Sequence, residues 1–460
     1  MKKAFNSIFW PIMAVLAFSL ASCAEKMEQL GQDEPVIESA VKTCPMVFHG
    51  SVVGFDNEVK GVATKGTSSN WKDGDKIYII FYNDATKVSG EASYSTSGGW
   101  NVSYDGDLAK GTSLKCEVRH FANATFQNSS LVSLNENSEI YETINGTYEY
   151  NGTTLTVAAS MTPKTGRIRF TGTAGSKIYL TGISVYTAYT PASNTFSSSN
   201  AMITATVSSA GTTPYIYGDF ADSERKLGLV GSDFAFTRAC SSDVLKVGDS
   251  GYMAIPSDTS HNNWRVGLFV KTSGVEFKMI PVSGYSGGFF MIGETEVTNA
   301  LYTAIVNGSA TTSNPQYPAG GFEYYGFTDF ITKLNYATSL SFSIPTSDQW
   351  LYAARGGSKS QDHTYCGSNT PGDVAWYQGN SGGAAHPVKQ LAPNELGIYD
   401  MSGNLEELTS TKGDSSYSLS YYRMGGHYKS PEADITKKSK FYSHDLTSSY
   451  IGLRIILTCK

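Results

Sequence analysis

The segment "YYRMGGHYKS", Tyr421–Ser430, gathers phenols, an imidazole, an ammonium group and a hydroxyl into one short stretch. Tyrosine faces stack on sugar rings at low entropic cost, so Tyr417, Tyr421, Tyr422, Tyr428 and Tyr442 read either as a ligand-gripping cluster or as core rings. His427, between them, reads either as a pocket wall or as a ring packed on a loop. The thiols of Cys44, Cys116, Cys240, Cys366 and Cys459 are scattered and odd in number, with no CxxC or metal-type spacing, so they read as buried or idle. The histidines (His49, His120, His261, His363, His386, His427 and His444) include no pair at helical i, i+4 spacing, and iron chemistry has no support from them. Serines in "GYSGG" and "GNSGG" lack the strand–elbow–helix context of a nucleophile.

These side chains need a scaffold, and 460 residues are enough for about three domains. A chain with 29 Tyr, 22 Phe and abundant Gly, Ser and Thr favours strands over helices. The net charge of −6 leaves no electrostatic footprint for nucleic acid, so no nucleic-acid partner is expected. At the N-terminus, Lys2 and Lys3 precede an uncharged, mostly apolar stretch ending in "LASC". That pattern is a secretory signal, and small residues before Cys23 resemble a lipobox. Residues 1–22 are then the lipoprotein signal peptide, Cys23 carries the acyl anchor in the outer membrane, and the polar residues 23–42 form a tether. The alternative is a simple signal cut near Ala21.

Beyond the tether, strand follows strand. "KIYIIFYN" follows the turn "WKDGD", "GGWNVSYDGD" gives another strand, and "YEYNGTTLTVAAS" reads as a hairpin with Asn151-Gly152 at its tip. "GRIRFTGTAGSKIYLTGISVYTAY" adds two alternating strands around a Gly-rich turn. Two β-sandwiches are expected, over residues 43–150 and 151–278. "GVATKGTSSNWKDGDKIYI" and "MTPKTGRIRFTGTAGSKIYLTGISVY" resemble the fimbrillins, lipid-anchored pilins of Bacteroidetes built from two transthyretin-like sandwiches. The resemblance implies other pilins as partners, joined by strand exchange, and proteolytic processing at Lys60 or Lys65.

From about residue 284 the texture changes. "FFMIGETEVTNALYTAIVNG" runs from a strand into a helix that Thr298 caps, and another helix starts near Thr346. The segments "IGETEVTNALY", "FSIPTSDQWLYAARGG", "DVAWYQGNSGGAAHPVKQLAPNELGIYDMSGNLEEL", "RMGGHYKS" and "IGLRIIL" together resemble the formylglycine-generating enzyme, or sulfatase-modifying factor, family. The resemblance implies an α+β, C-type-lectin-like domain over 279–460. The overall expectation is a mainly β, multidomain chain: two transthyretin-like β-sandwiches followed by that domain.

Catalytic members of the family oxidise a substrate cysteine with O₂, using paired thiols that bind copper. The family's Arg-Gly-Gly-Ser-Phe-x-Cys pattern, with a second Cys five residues on, puts Ser430 and Ile435 at the thiol positions, and hydroxyls do not replace thiolates for Cu(I). No catalysis is therefore expected. The family's structural Ca²⁺ maps onto "SGNLEEL": Asn404, the Leu405 backbone and Glu407. Against it, Glu406 and Leu408 replace the flanking Trp residues, and Ala375 and Trp376 stand where another calcium loop would supply ligands. The alternative has Asn404 capping a turn and Glu407 solvated. Asp400, Glu406 and Glu407 also suggest glycosidase carboxylates, but the family motif accounts better for the segment.

The expected function is a pilus-tip adhesin whose last domain binds a host or bacterial glycan, or a protein, through Tyr421, Tyr422, His427, Tyr428 and Ser430. A formylglycine-type oxidase and a glycan-capture surface lipoprotein are the alternatives.

Overall fold

The computed structural model describes residues 41–52, 71–83, 86–128, 131–200, 202–219, 226–239, 250–254, 265–322, 324–413, 421–436, 440–443 and 449–458. Cys23, Lys60, Lys65, Cys240, Cys459, His261, His444 and Tyr417 lie outside the described residues. The mainly β, multidomain expectation holds. Among the described residues, no helix is long and apolar enough to cross a membrane.

In the first unit the alternation of the sequence becomes an inside and an outside: Leu155–Pro163 buries every second side chain. Its inward residues meet those of neighbouring strands around Phe48, Trp71, Trp100 and Phe81. Trp71 and Trp100 pack edge to face with centroids 5.1 Å apart. Lys42–Val52 pairs antiparallel with Gly99–Tyr104 on one side and parallel with Leu155–Pro163 on the other. That double pairing closes seven strands of this unit into a barrel, leaving no free edge among them. The closing strand lies beyond the expected boundary at residue 150. It belongs here because the Asn151-Gly152 turn is a hairpin of this unit: Gly152 takes φ +105°, and Asn151 Oδ1 accepts from the amides of Thr153 and Thr154.

In the second unit Gly166–Thr171 and Lys177–Thr181, neighbours in sequence, join different sheets. The first pairs with Ile216–Gly218 and Ser250–Ala254, the second with Ile203–Thr206 and Lys226–Val230. Ile168 and Phe170 from one sheet and Ile178, Leu180 and Leu229 from the other share one core. A further sheet joins the units: Leu131–Ser133 from the first pairs with Val185–Thr190 of the second, over a shared cluster that includes Tyr78, Phe121 and Tyr189. Beside it, burial alone would raise the Glu117 carboxyl, but hydrogen bonds from Tyr82, Asn194 and Arg119 hold it at about 2.

The last unit begins earlier than residue 279. Leu268–Thr272 and Val275–Val282 form a hairpin whose sheet continues through Phe290–Gly293, Ile456–Leu457 and Phe342–Ser343. Cutting at 278 would split that hairpin. The helix Asn299–Asn307 is capped as its sequence indicates: Thr298 accepts from the Leu301 amide, and Gly308 ends it at φ +73°. Ser347–Ala354 opens with a capping box between Thr346 and Gln349. Leu301, and Phe327, Phe330 and Leu334 from the helix Tyr324–Thr338, cover the sheet's apolar face beside Phe342 and Leu457. A second sheet orders Lys440–Ser443, Tyr421–Met424, Glu406–Lys412 and Ile451–Gly452. Two sheets and their capped helices thus hold the loops that carry the site.

Candidate functional site

The motif "SGNLEEL" builds the interior of the last unit. Glu407 is 0% exposed and so is Arg454, from "IGLRIIL". Arg454 Nε donates to Glu407 Oε1 and Oε2 at 3.0 and 2.9 Å, and Nη2 donates to Oε1 at 2.6 Å. The remaining Arg454 donors satisfy the carbonyls of Gly293 (2.9 Å) and Tyr399 (2.8 Å), and the Trp350 indole donates to Glu407 Oε2. Beside this pair, buried Glu296 accepts from Asn404 Nδ2 (2.9 Å) and from the Leu405 amide (3.0 Å). Burial, with Asp400 and Glu407 nearby, pushes the Glu296 carboxyl well above the usual range. Burial likewise raises Asp400 to about 6, against the Lys389 amide that donates to it.

These residues do not fit calcium. Asn404 Oδ1 accepts from the His386 amide at 3.0 Å, and both Glu407 oxygens are taken by Arg454. A second cation on Glu407 would sit against a fixed guanidinium. The expectation for Asn404, Leu405 and Glu407 is corrected: the three are framework. The picture of a solvated Glu407 fails as well, since that side chain is wholly enclosed. At the other loop Ala375 is buried and Trp376 stacks on His386 at 3.8 Å. Among the described residues, no group of three or more His, Cys, Asp or Glu could hold a metal ion.

The two thiol positions are also interior. Ser430 is 5% exposed, and its hydroxyl accepts from the His427 amide at 3.0 Å. Ile435 is 0% exposed and packs with Tyr365, Val374 and Ala375. Cys366 is buried too: its thiol donates to the Met401 carbonyl at 3.2 Å, and burial pushes its pKa up to about 12, which keeps it a thiol. Cys44 and Cys116 are likewise free and buried.

Around His427 the side chains reach the surface. The imidazole stacks on Tyr450, centroids 4.4 Å apart and planes 16° apart, while Tyr428 meets Tyr450 edge-on at 5.4 Å. Lys429 Nζ donates to the Tyr450 hydroxyl at 3.3 Å and lies over both tyrosine rings. His427 Nδ1 accepts from the Lys429 amide at 3.2 Å, which assigns the ring proton to Nε2, 4.0 Å from Glu406 Oε1. Glu406 is buried and paired with Arg423 at 2.7 Å. Burial, with Arg423 and Lys429 close by, lowers the His427 pKa, so the ring is neutral at pH 7.

The sequence-derived candidates therefore divide. His427 and Tyr428 come together at a partly open surface. Tyr421 is 8% exposed and packs in the core with Leu408 and Ile451, so it leaves the ligand set. Ser430 leaves it because it is buried. Tyr422 stays half-buried on the strand Tyr421–Met424. Tyr450 and Lys429 were missed. Tyr450 arrives through the parallel pairing of Ile451–Gly452 with Glu406–Glu407, a long-range contact that no local spacing announces. A separate cleft of about 480 Å³ opens between the hairpin 268–282, the start of the Thr298-capped helix and the loop 388–390.

Residues 265–459 match the model of the sulfatase-modifying factor enzyme 1-like domain, and the chain carries that domain at its C-terminal end. The chaperone protein LppX of Paenibacillus barcinonensis is 46% identical over 83 residues, covering 14% of this chain; the chain spans about 30% of that relative's length. Among solved structures, variable protein 1 of Treponema denticola is 22% identical, covers 42% of this chain and 99% of its own, and has a TM-score of 0.36. A fimbrial protein from Bacteroides ovatus is 8% identical, with 91% of this chain and 100% of its own covered, at a TM-score of 0.26.

Proposed function

We propose that this chain is a surface lipoprotein, a pilus-tip adhesin, whose C-terminal sulfatase-modifying-factor-like domain binds a glycan or protein ligand instead of oxidising cysteine. One observation carries the reading: a buried hydroxyl, Ser430, and a buried alkyl group, Ile435, stand at the family's thiol positions. Neither binds Cu(I), and the buried Cys366 thiol stays protonated. The aromatic group of His427, Tyr428 and Tyr450, with Lys429 at its rim, supports ligand capture, because such rings offer flat amphipathic area at low entropic cost. On this reading Cys23 anchors the chain and the β-rich units lift the binding domain from the membrane. Other pilins join at strand edges after cleavage at Lys60 or Lys65.

The test uses the mature chain on glycan and host-protein arrays, beside an assay for copper-dependent conversion of a CxPxR peptide to formylglycine. Saturable capture is expected, lost in the His427→Ala/Tyr428→Ala double variant with an unchanged melt, together with no loss of cysteine sulfur from the peptide. Formylglycine in the peptide mass spectrum, or undiminished capture by the double variant, would overturn the proposal.

A further inference from the structure

Three Asn-Gly pairs occur in the chain: Asn145-Gly146, Asn151-Gly152 and Asn307-Gly308. In such a pair the glycine amide nitrogen can attack the asparagine side-chain carbon, because no β-carbon on the glycine stands in the way. The fold treats the three differently. Asn145-Gly146 lies within the strand Glu139–Tyr150, and Gly146 is buried in the ladder opposite Cys116. Its nitrogen cannot turn on Asn145 without leaving that ladder. Asn307 ends the helix Asn299–Asn307, and Gly308 caps it. A helical side chain leans toward the N-terminus, so Asn307 leans away from the Gly308 nitrogen. Among the described residues, neither the Asn145 nor the Asn307 side-chain carbonyl accepts a hydrogen bond.

Asn151-Gly152, at the exposed hairpin tip, is arranged otherwise. Asn151 Oδ1 accepts from the Thr153 amide at 2.9 Å, the Thr153 hydroxyl at 3.0 Å and the Thr154 amide at 2.9 Å. Those donors lie beyond Gly152, so the side chain is folded forward over the peptide unit it shares with that glycine. Gly152 is held through its carbonyl, which accepts from the Tyr150 hydroxyl at 3.0 Å. Its amide donates to no acceptor among the described residues. A cation stands beside it: a β-carbon at Gly152 would lie 3.0 Å from Lys110 Nζ.

We propose that this tip is a self-modification site, where Asn151 loses ammonia and becomes an aspartyl or isoaspartyl residue. Base removes the Gly152 amide proton, with the Lys110 ammonium beside the nitrogen anion. The nitrogen bonds to Asn151 Cγ, and the negative charge passes to Oδ1, where the three donors already point. The Cγ–Nδ2 bond breaks, Nδ2 takes a proton from water and leaves as ammonia, and a cyclic imide remains. Water then opens the ring. Attack at Cγ restores the ordinary main chain with an aspartate. Attack at the main-chain carbonyl leaves the chain running through the side-chain carboxyl, longer by one methylene. Either product places a new carboxylate near Lys110.

The full chain is aged in heavy-oxygen water at neutral and alkaline pH, its peptides are followed by mass spectrometry, and isoaspartyl methyltransferase reports the isomer. Residue 151 should convert at least about tenfold faster than residues 145 and 307, and faster still at alkaline pH. In the urea-unfolded chain the three sites should react alike, with residue 151 slower than in the fold. Thr153→Val removes one of the three donors and should slow the reaction about two- to tenfold. That sign separates the reading from a merely structural turn, because a tip loosened by the substitution would react faster. Lys110→Gln should also slow the reaction, and high salt should bring the parent down toward that variant. Equal rates at the three folded sites, a slower reaction at residue 151 in the fold than in urea, or an unchanged or faster Thr153→Val would overturn the proposal. An unchanged rate in Lys110→Gln would overturn the part given to the ammonium.

Discussion

Replacing Arg454 by methionine should cost the last domain more than almost any other single change. The side chain is fully buried, and methionine fills similar length without the charge. Its loss leaves the Glu407 carboxylate enclosed with only the Trp350 indole as donor, and the Gly293 and Tyr399 carbonyls lose theirs. Breaking a buried pair from one side costs about 3–5 kcal/mol, mostly the penalty of the stranded charge. For a domain spanning residues 265–459, each kcal/mol shifts the melting temperature by about 2–4 °C, so the drop should be about 6–20 °C. Differential scanning calorimetry at pH 7 on the mature chain would resolve it as an early-melting transition. Arg454→Met combined with Glu407→Gln should recover at least half of the loss, because the amide still accepts from Trp350 and no charge is stranded. A drop below about 2 °C, or a double variant no better than the single, would refute the stranded-charge argument.

Asp400 has a folded pKa of about 6 against 3.8 for an ordinary aspartate, so the folded state binds more protons between those values and loses stability as pH rises through them. The melting temperature of Asp400→Asn, measured relative to the parent, should therefore rise from pH 4 to pH 7; a constant difference would count against the buried, raised carboxyl. Chelation with EDTA should leave the melt of the last domain unchanged, since Asn404 and Glu407 are already occupied by protein donors; a lowered melt would restore the calcium site. Cys23→Ala should move the protein from membranes to the soluble fraction, and unchanged membrane fractionation with normal processing would rule out lipidation.

Local devices were legible in the sequence because they are written in neighbouring residues. Thr298 and Thr346 cap helices through hydroxyls three positions from the amides they accept from, and strand alternation depends only on period two. Ser430 and Ile435 could be placed because a motif with fixed spacing surrounds them. What stayed hidden was set by contacts between distant segments. Nothing near Glu407 says that Arg454 will occupy it, and nothing near His427 says that Tyr450 will lie on it. The barrel's closure likewise depends on a parallel pairing across more than a hundred residues, which alternation alone leaves unspecified. The Tyr421 misassignment has the same origin, since an aromatic in a strand next to a loop is core or surface according to which face its register turns inward.

The pairing that closes the barrel also fixes how the first unit would respond to pulling. Chain enters at Lys42 and leaves at Pro163, at opposite ends of two strands that run the same way. Tension between those points slides one strand along the other, so the contacts from Met46↔Leu155 to Val52↔Met161 are loaded in shear, all together. An antiparallel hairpin pulled from its two open ends would instead peel apart one rung at a time, at lower force. In a chain not cut at Lys60 or Lys65, the proposed anchor and ligand site would be joined through this mechanical clamp, and its rupture would need the whole row of hydrogen bonds to give way at once.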